Sequence, residues 1–84
     1  MYYVYVLKMS NGKLYTGFSG NLRRRIEEHR RGDSKSTKPY LPVRLIFYEA
    51  YCIKEDALRR EKYLKTDKGK KTIRIMLAKT LGTY

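Results

Sequence analysis

This chain has little with which to staple or anchor itself. It holds one cysteine, Cys52, so no internal disulfide can form, and a cytoplasmic home is expected. A lone thiol of this kind ordinarily serves as a small apolar filler rather than a nucleophile. No stretch approaches the length of a membrane span, and the apolar run Tyr2 to Leu7 is closed by Lys8 too early for a signal-peptide core. There is no internal repeat, no long low-complexity tract and no second composition regime, so residues 1–84 read as one small domain. Acid is the scarcest commodity: eight Asp and Glu stand against twenty Lys and Arg, for a formal charge of +12. That excess points to a polyanionic partner, nucleic acid first, and is silent on catalysis.

What is present suffices for a core. Hydrophobic residues make up 42% of the chain and aromatics 13%, which excludes disorder. At this size folding buries only ~60% of the unfolded surface, so each buried polar group weighs heavily.

Tyr2 to Leu7 and Leu14 to Phe18 are rich in aromatic and β-branched residues and flank Ser10-Asn11-Gly12, a hairpin signal. Loop length decides what faces what. A two-residue Asn-Gly turn would pair Tyr5 with Phe18 and put Tyr5 and Tyr15 on opposite faces. A three-residue loop with Gly12 left-handed pairs Met9 with Lys13 and Tyr5 with Gly17, and brings Tyr5 and Tyr15 to one face. The three-residue loop is the expectation.

A helix is predicted from Leu22 to about Arg31, capped by Asn21 and stopped by Gly32. Gly32 to Pro42 reads as a polar loop, its two prolines excluding a helix. Val43 to Tyr51 reads as a third strand, apolar enough to lie centrally or be covered on both faces. A helix follows from Lys54 to Thr66, then a break at Asp67-Lys68-Gly69, then a last helix from about Lys70 to Leu81 that buries Ile73, Met76, Leu77 and Leu81. The order β-β-α-β-α-α, opening on a hairpin, is α+β: a three-stranded antiparallel sheet flanked by helices.

Two helices carry charge on the face that must pack. On the Leu22 helix, Leu22, Arg25, Ile26 and His29 share one sector, while Arg23, Arg24, Glu27, Glu28, Arg30 and Arg31 lie outside it. On the Lys54 helix, Ala57, Leu58 and Leu64 define the apolar stripe, and Glu61 falls at its centre. An ionised carboxylate turned inward is costly unless a cation, a metal or several donors meet it. Each residue also has a plain explanation. His29 could be a satisfied imidazolium near a helix C-terminus. Arg25 could lay its stem on apolar surface, Glu61 could pair with a cation such as Arg25, and tyrosines suit strands. What the four share is direction.

These residues resemble the GIY-YIG nuclease family over nearly the whole chain. Tyr3-Val4-Tyr5 is similar to the first signature tripeptide and Tyr15-Thr16-Gly17 to the second. Arg25 and His29 follow at family spacing, and Glu55 to Glu61 is similar to the segment bearing the family's metal-binding glutamate. The likeness is strongest to small single-domain bacterial members. It implies three antiparallel strands flanked by helices and hydrolysis of a DNA phosphodiester with one divalent ion, Mg²⁺ or Mn²⁺, held by Glu61. It implies Arg25 on the phosphate, Tyr5 activating water, Tyr15 orienting it, and His29 accepting a tyrosine proton. A phenolate at pH 7 costs ~4 kcal/mol at the reference pKa, which cations such as Lys8 and Lys13 would offset in part. Three departures stand out. Tyr3 replaces the leading glycine and Thr16 the second isoleucine. No asparagine follows Glu61, since Asn11 and Asn21 are the only two.

The expected partner is DNA, branched or damaged forms included, with Arg23, Arg24, Lys35, Lys38, Lys68, Lys70 and Lys71 as candidate phosphate contacts and no membrane role. A protein partner supplying specificity, a role in DNA repair, and a monomer or weak dimer complete the expectation. The alternative is a non-catalytic nucleic-acid binding module on the same fold, because function lives in the site and not in the fold. A protein-interaction adaptor fits less well, since it leaves the positive charge unexplained.

Overall fold

The computed structural model describes residues 1–84. Strands β1 (Tyr2–Lys8) and β2 (Leu14–Ser19) form a hairpin, followed by helix α1 (Leu22–Arg31), strand β3 (Arg44–Tyr51) and helices α2 (Lys54–Leu64), α3 (Asp67–Met76) and α4 (Ala78–Thr83). The sheet is antiparallel in the order β2-β1-β3. No helix is long and apolar enough to cross a membrane.

The hairpin has the three-residue loop. The Met9 N–H donates to the Lys13 carbonyl at 2.9 Å, Gly12 takes φ 82°, and Tyr5 stands opposite Gly17. Asn11 fixes the turn by accepting from the Lys13 N–H at 3.0 Å. Because side chains alternate along a strand, β1 serves two cores. Val4 and Val6 pack with Ala57, Leu64, Ile73 and Leu77, from α2 and the α3–α4 junction. Tyr5 and Leu7 pack with Ile26 of α1 and with Val43. All four β1 residues are fully buried.

Helix α1 keeps its expected ends: the Asn21 side chain accepts from the Arg24 N–H, and Gly32 closes the helix at φ 82°. Elsewhere the sequence expectations need correction. β1, not the third strand, takes the centre; β3 is an edge strand and exposes Tyr48 and Ala50. It begins at Arg44, although Val43 is buried. The loop from Gly32 contains a 3₁₀ turn, Lys38–Tyr40, with Pro39 in its first turn, where a missing N–H costs nothing.

Helix α2 ends at Leu64. Asp67-Lys68-Gly69 is no break but the first turn of α3, capped by the Thr66 hydroxyl accepting from the Gly69 N–H at 3.1 Å. Gly69 answers to packing: a Cβ there would lie 1.9 Å from the Tyr63 carbonyl oxygen and 2.5 Å from the Leu64 Cα. The last helix divides at Leu77, which leaves Met76 exposed while Ile73 and Leu77 are buried and Leu81 packs at the margin. Leu58 is exposed too, so the α2 stripe narrows to Ala57 and Leu64.

Candidate active site

The central strand, the hairpin and α1 bring three aromatic rings together. Tyr5 and Tyr15 lie on one sheet face, their ring centroids 6.4 Å apart. His29, one turn beyond Arg25 on α1, stands 5.6 Å from the Tyr5 ring and 5.3 Å from the Tyr15 ring, edge-on to both. The space for this cluster comes from a missing side chain. A Cβ on Gly17 would sit 2.4 Å from both Cζ and Oη of Tyr5.

The polar atoms of the cluster form a chain. Tyr5 Oη meets His29 Nε2 at 2.8 Å, and His29 Nδ1 meets Thr37 Oγ1 at 2.8 Å. Tyr5, His29 and Thr37 are all fully buried, and no buried side-chain nitrogen or oxygen lacks a partner. Burial pushes the Tyr5 phenol up to about 12; the Arg25 guanidinium opposes the rise, while the Tyr15 phenol and the Glu61 carboxylate add to it. Burial lowers the His29 pKa, the Arg25 charge lowers it further, and Glu28 acts the other way. The net effect favours the neutral imidazole over the imidazolium expected at a helix C-terminus.

Arg25 borders the cluster from a half-buried position. Its guanidinium donates to Glu28 Oε1 at 3.0 Å, so its ion pair is with Glu28 and not with Glu61. Burial works against its charge, and Glu28 and Tyr5 together outweigh that effect. Glu61 does turn inward, with 19% of its side chain exposed, and its Oε2 meets Lys65 Nζ at 3.1 Å. It is the outlying member, reaching Tyr5 through its field rather than through a contact.

No three His, Cys, Asp or Glu side chains cluster anywhere in the chain. Glu61 is thus a lone hard oxygen donor. Such a donor set fits Mg²⁺ or Mn²⁺ when water and a substrate phosphate complete the shell, since Mg²⁺ commonly binds through one or two carboxylates plus phosphate.

The candidate phosphate contacts Arg23, Arg24, Lys35, Lys38, Lys68, Lys70 and Lys71 are all exposed, and they are divided among α1, the loop that follows it and α3. α1 covers the Tyr5 face of the sheet and α3 the Val4 face. Of the seven, Lys70 shares a cavity with Tyr15: with Lys13, Lys65 and Arg74 it rims that space, of about 470 Å³.

Sequence reading passed over three residues that shape the site. Gly17 was within reach, because the three-residue loop already sets it opposite Tyr5. Lys65 was as well, lying four residues beyond Glu61 on one helix face. Thr37 carried no signal: a threonine among lysines in a polar loop has no periodicity to betray its burial.

Comparison with known proteins bears on the family and the fold. The GIY-YIG catalytic domain model matches residues 1–74. The UPF0213 proteins of Staphylococcus aureus strains Mu3 and Mu50 are each 41% identical over 76 residues, covering 89% of this chain and 93% of theirs. The solution NMR structure of a UPF0213 protein from Bacillus halodurans superposes with a TM-score of 0.58 at 34% identity, covering 90% of this chain and 85% of that one.

Proposed function

This chain belongs to the GIY-YIG family, and from that premise we propose that it is a divalent-metal-dependent endonuclease that hydrolyses DNA phosphodiester bonds, with branched, nicked or damaged DNA as preferred substrates. The observation that carries the reading is the meeting of Tyr5, Tyr15 and His29 beside Arg25, within the field of the inward carboxylate of Glu61.

Glu61, water and a phosphate oxygen would hold Mg²⁺ or Mn²⁺, which when bound stabilises charge on the phosphate and the leaving oxygen. Arg25 donates to the phosphate through its planar fork, exchanging part of its bond to Glu28. Tyr5 cannot act as a standing phenolate. With its pKa at about 12, that form costs about 7 kcal/mol at pH 7, more than the reference value alone implies. It acts instead as a relay, which requires bound substrate to admit water to a hydroxyl that is fully buried in the free protein: Tyr5 Oη takes a proton from the attacking water while its own proton passes to His29 Nε2, 2.8 Å away. A neutral His29 is the acceptor this step requires. Tyr15, edge-on to the same imidazole, orients the water or the phosphate.

One observation favours the second reading, a non-catalytic nucleic-acid binding module. The Glu61 carboxylate is already matched by Lys65, a pairing a retired site could keep. The separating experiment incubates the protein with branched, nicked, single-stranded and duplex DNA in Mg²⁺ or Mn²⁺. Cleavage that vanishes in Glu61→Ala while binding persists supports the nuclease. Binding by the wild type with no cleavage across the panel leaves the binding module.

A further inference from the structure

The imidazole of His29 has two partners, and only one belongs to the family's signature segments. The other, Thr37, comes from the loop between α1 and β3. It is fully buried, although its neighbours Ser36 and Lys38 are exposed. The loop is built to hold it there: the N–H groups of Thr37 and Lys38 both donate to the Ser34 carbonyl, at 3.2 and 2.8 Å. The Tyr40 N–H donates to the Thr37 carbonyl at 2.9 Å, and the Tyr40 carbonyl accepts from the Ser10 N–H in the hairpin at 2.9 Å. A threonine whose hydroxyl meets one atom, His29 Nδ1 at 2.8 Å, is placed for that atom.

Two proton arrangements fit the chain Tyr5–His29–Thr37, each leaving the hydroxyl proton of its accepting end without a partner in the chain. In one, Tyr5 donates to Nε2 and Nδ1–H donates to Thr37. In the other, Thr37 donates to Nδ1 and Nε2–H donates to Tyr5. Two facts favour the first. A phenol is a far stronger donor than an aliphatic alcohol, so the shared proton is better supplied from the Tyr5 end. The Arg25 guanidinium, one turn before His29 on α1, carries donors only, so it offers a Tyr5 hydroxyl proton no acceptor and leaves Nε2 as the acceptor. Which ring nitrogen is protonated follows from the bond made by the other.

We propose that Thr37 is a positioning residue: its hydroxyl accepts the Nδ1–H of His29, fixes that tautomer, and keeps Nε2 unprotonated and aimed at the hydroxyl of Tyr5. When the Tyr5 proton moves, the ring becomes an imidazolium with both N–H groups satisfied, by Thr37 on one side and the Tyr5 oxygen on the other. No atom has to turn. The charges facing this ring are Arg25 and Glu28 from α1, with the phenols of β1 and β2. None of them offers Nδ1 a substitute acceptor, because its one partner is Thr37. The consequence for rate rests on the nuclease reading above; the tautomer does not.

His29 is the only histidine, so its ring nitrogens can be read without assignment in the full-length chain. Nitrogen-15 NMR of the DNA-free protein at neutral pH should show Nδ1 protonated and Nε2 bare. Thr37→Val, which keeps the shape and removes the hydroxyl, should shift the tautomer ratio toward Nε2–H by about tenfold or more, and Thr37→Ser should restore it. In cleavage assays Thr37→Val should lower kcat by ~10–100-fold with KM little changed, with Thr37→Ser recovering most of the loss. A wild-type ring protonated at Nε2 overturns the proposal, and so does a Thr37→Val ring with an unaltered tautomer. If Thr37→Val does not fold, the wild-type spectrum still decides. A wild type that cuts no DNA but shows the Nδ1–H tautomer, lost in Thr37→Val and restored in Thr37→Ser, sinks the nuclease reading and upholds Thr37.

Discussion

Gly17 is defined by the ring that stands opposite it. An alanine methyl would fall 2.4 Å from the Tyr5 oxygen, and the ring cannot yield without leaving His29. Gly17→Ala is expected to fold with a loss of about 1–3 kcal/mol and to lose cleavage almost entirely; urea denaturation and a nicking assay check the two halves. Tyr5 itself gives a pH signature. Its folded pKa of about 12 lies above the ordinary value of 10.0, so above pH 10 the unfolded chain releases a proton that the folded chain keeps. Stability from this group is complete below pH 10 and drains away as pH rises toward 12. Tyr5→Phe should flatten that loss relative to wild type in melts between pH 9 and pH 11. At this scale the sequence was legible where geometry follows from spacing. Strand and helix periods fix the directions of Tyr5, Tyr15, Arg25 and His29, and the family resemblance singled them out as one site. Thr37 was not found, because a loop has no period.

The helices α2 and α3 show how one residue type can mislead. Gly69 reads as punctuation, yet it is a contact: α3 crosses so close to the end of α2 that backbone fills the space of a Cβ. Gly69→Ala should therefore cost several kcal/mol, at or beyond the upper end of ordinary overpacking. Gly82 in α4 has nothing within 4 Å of its would-be Cβ, and Gly82→Ala should stabilise by about 0.4–1 kcal/mol. Paired thermal melts test both, and opposite signs are the expected result. Element types and most boundaries could be read from hydrophobic period and caps, as Asn21 and Gly32 show. Strand order could not: β1 and the third strand are similarly apolar, and only packing on both faces of β1 sets it at the centre. The division at Leu77 was equally hidden, since the apolar spacing runs on through it.

For the whole molecule, a charge of +12 makes nucleic-acid affinity a function of salt. Raising salt from ~50 to ~200 mM should weaken DNA binding by a factor of ~100 for about four phosphate contacts, as a fluorescence titration would show. Because the basic residues lie on opposite faces, they should not contribute equally. Lys70→Glu, at the rim of the cavity lined by Tyr15, is expected to weaken binding more than Lys71→Glu beside it. Net charge was plain in the composition; its division between two faces became visible only with α1 and α3 on opposite sides of the sheet.

Tyr5 is at once the proposed proton carrier and the largest side chain sealed inside the protein. A lineage that had given up turnover would still be obliged to keep that bulk, or repack the middle of its sheet. Glu61, at the periphery and tied only to a neighbouring lysine, is under no such obligation. In a descendant of this chain, survival of the tyrosine would testify to architecture, and survival of the glutamate to chemistry.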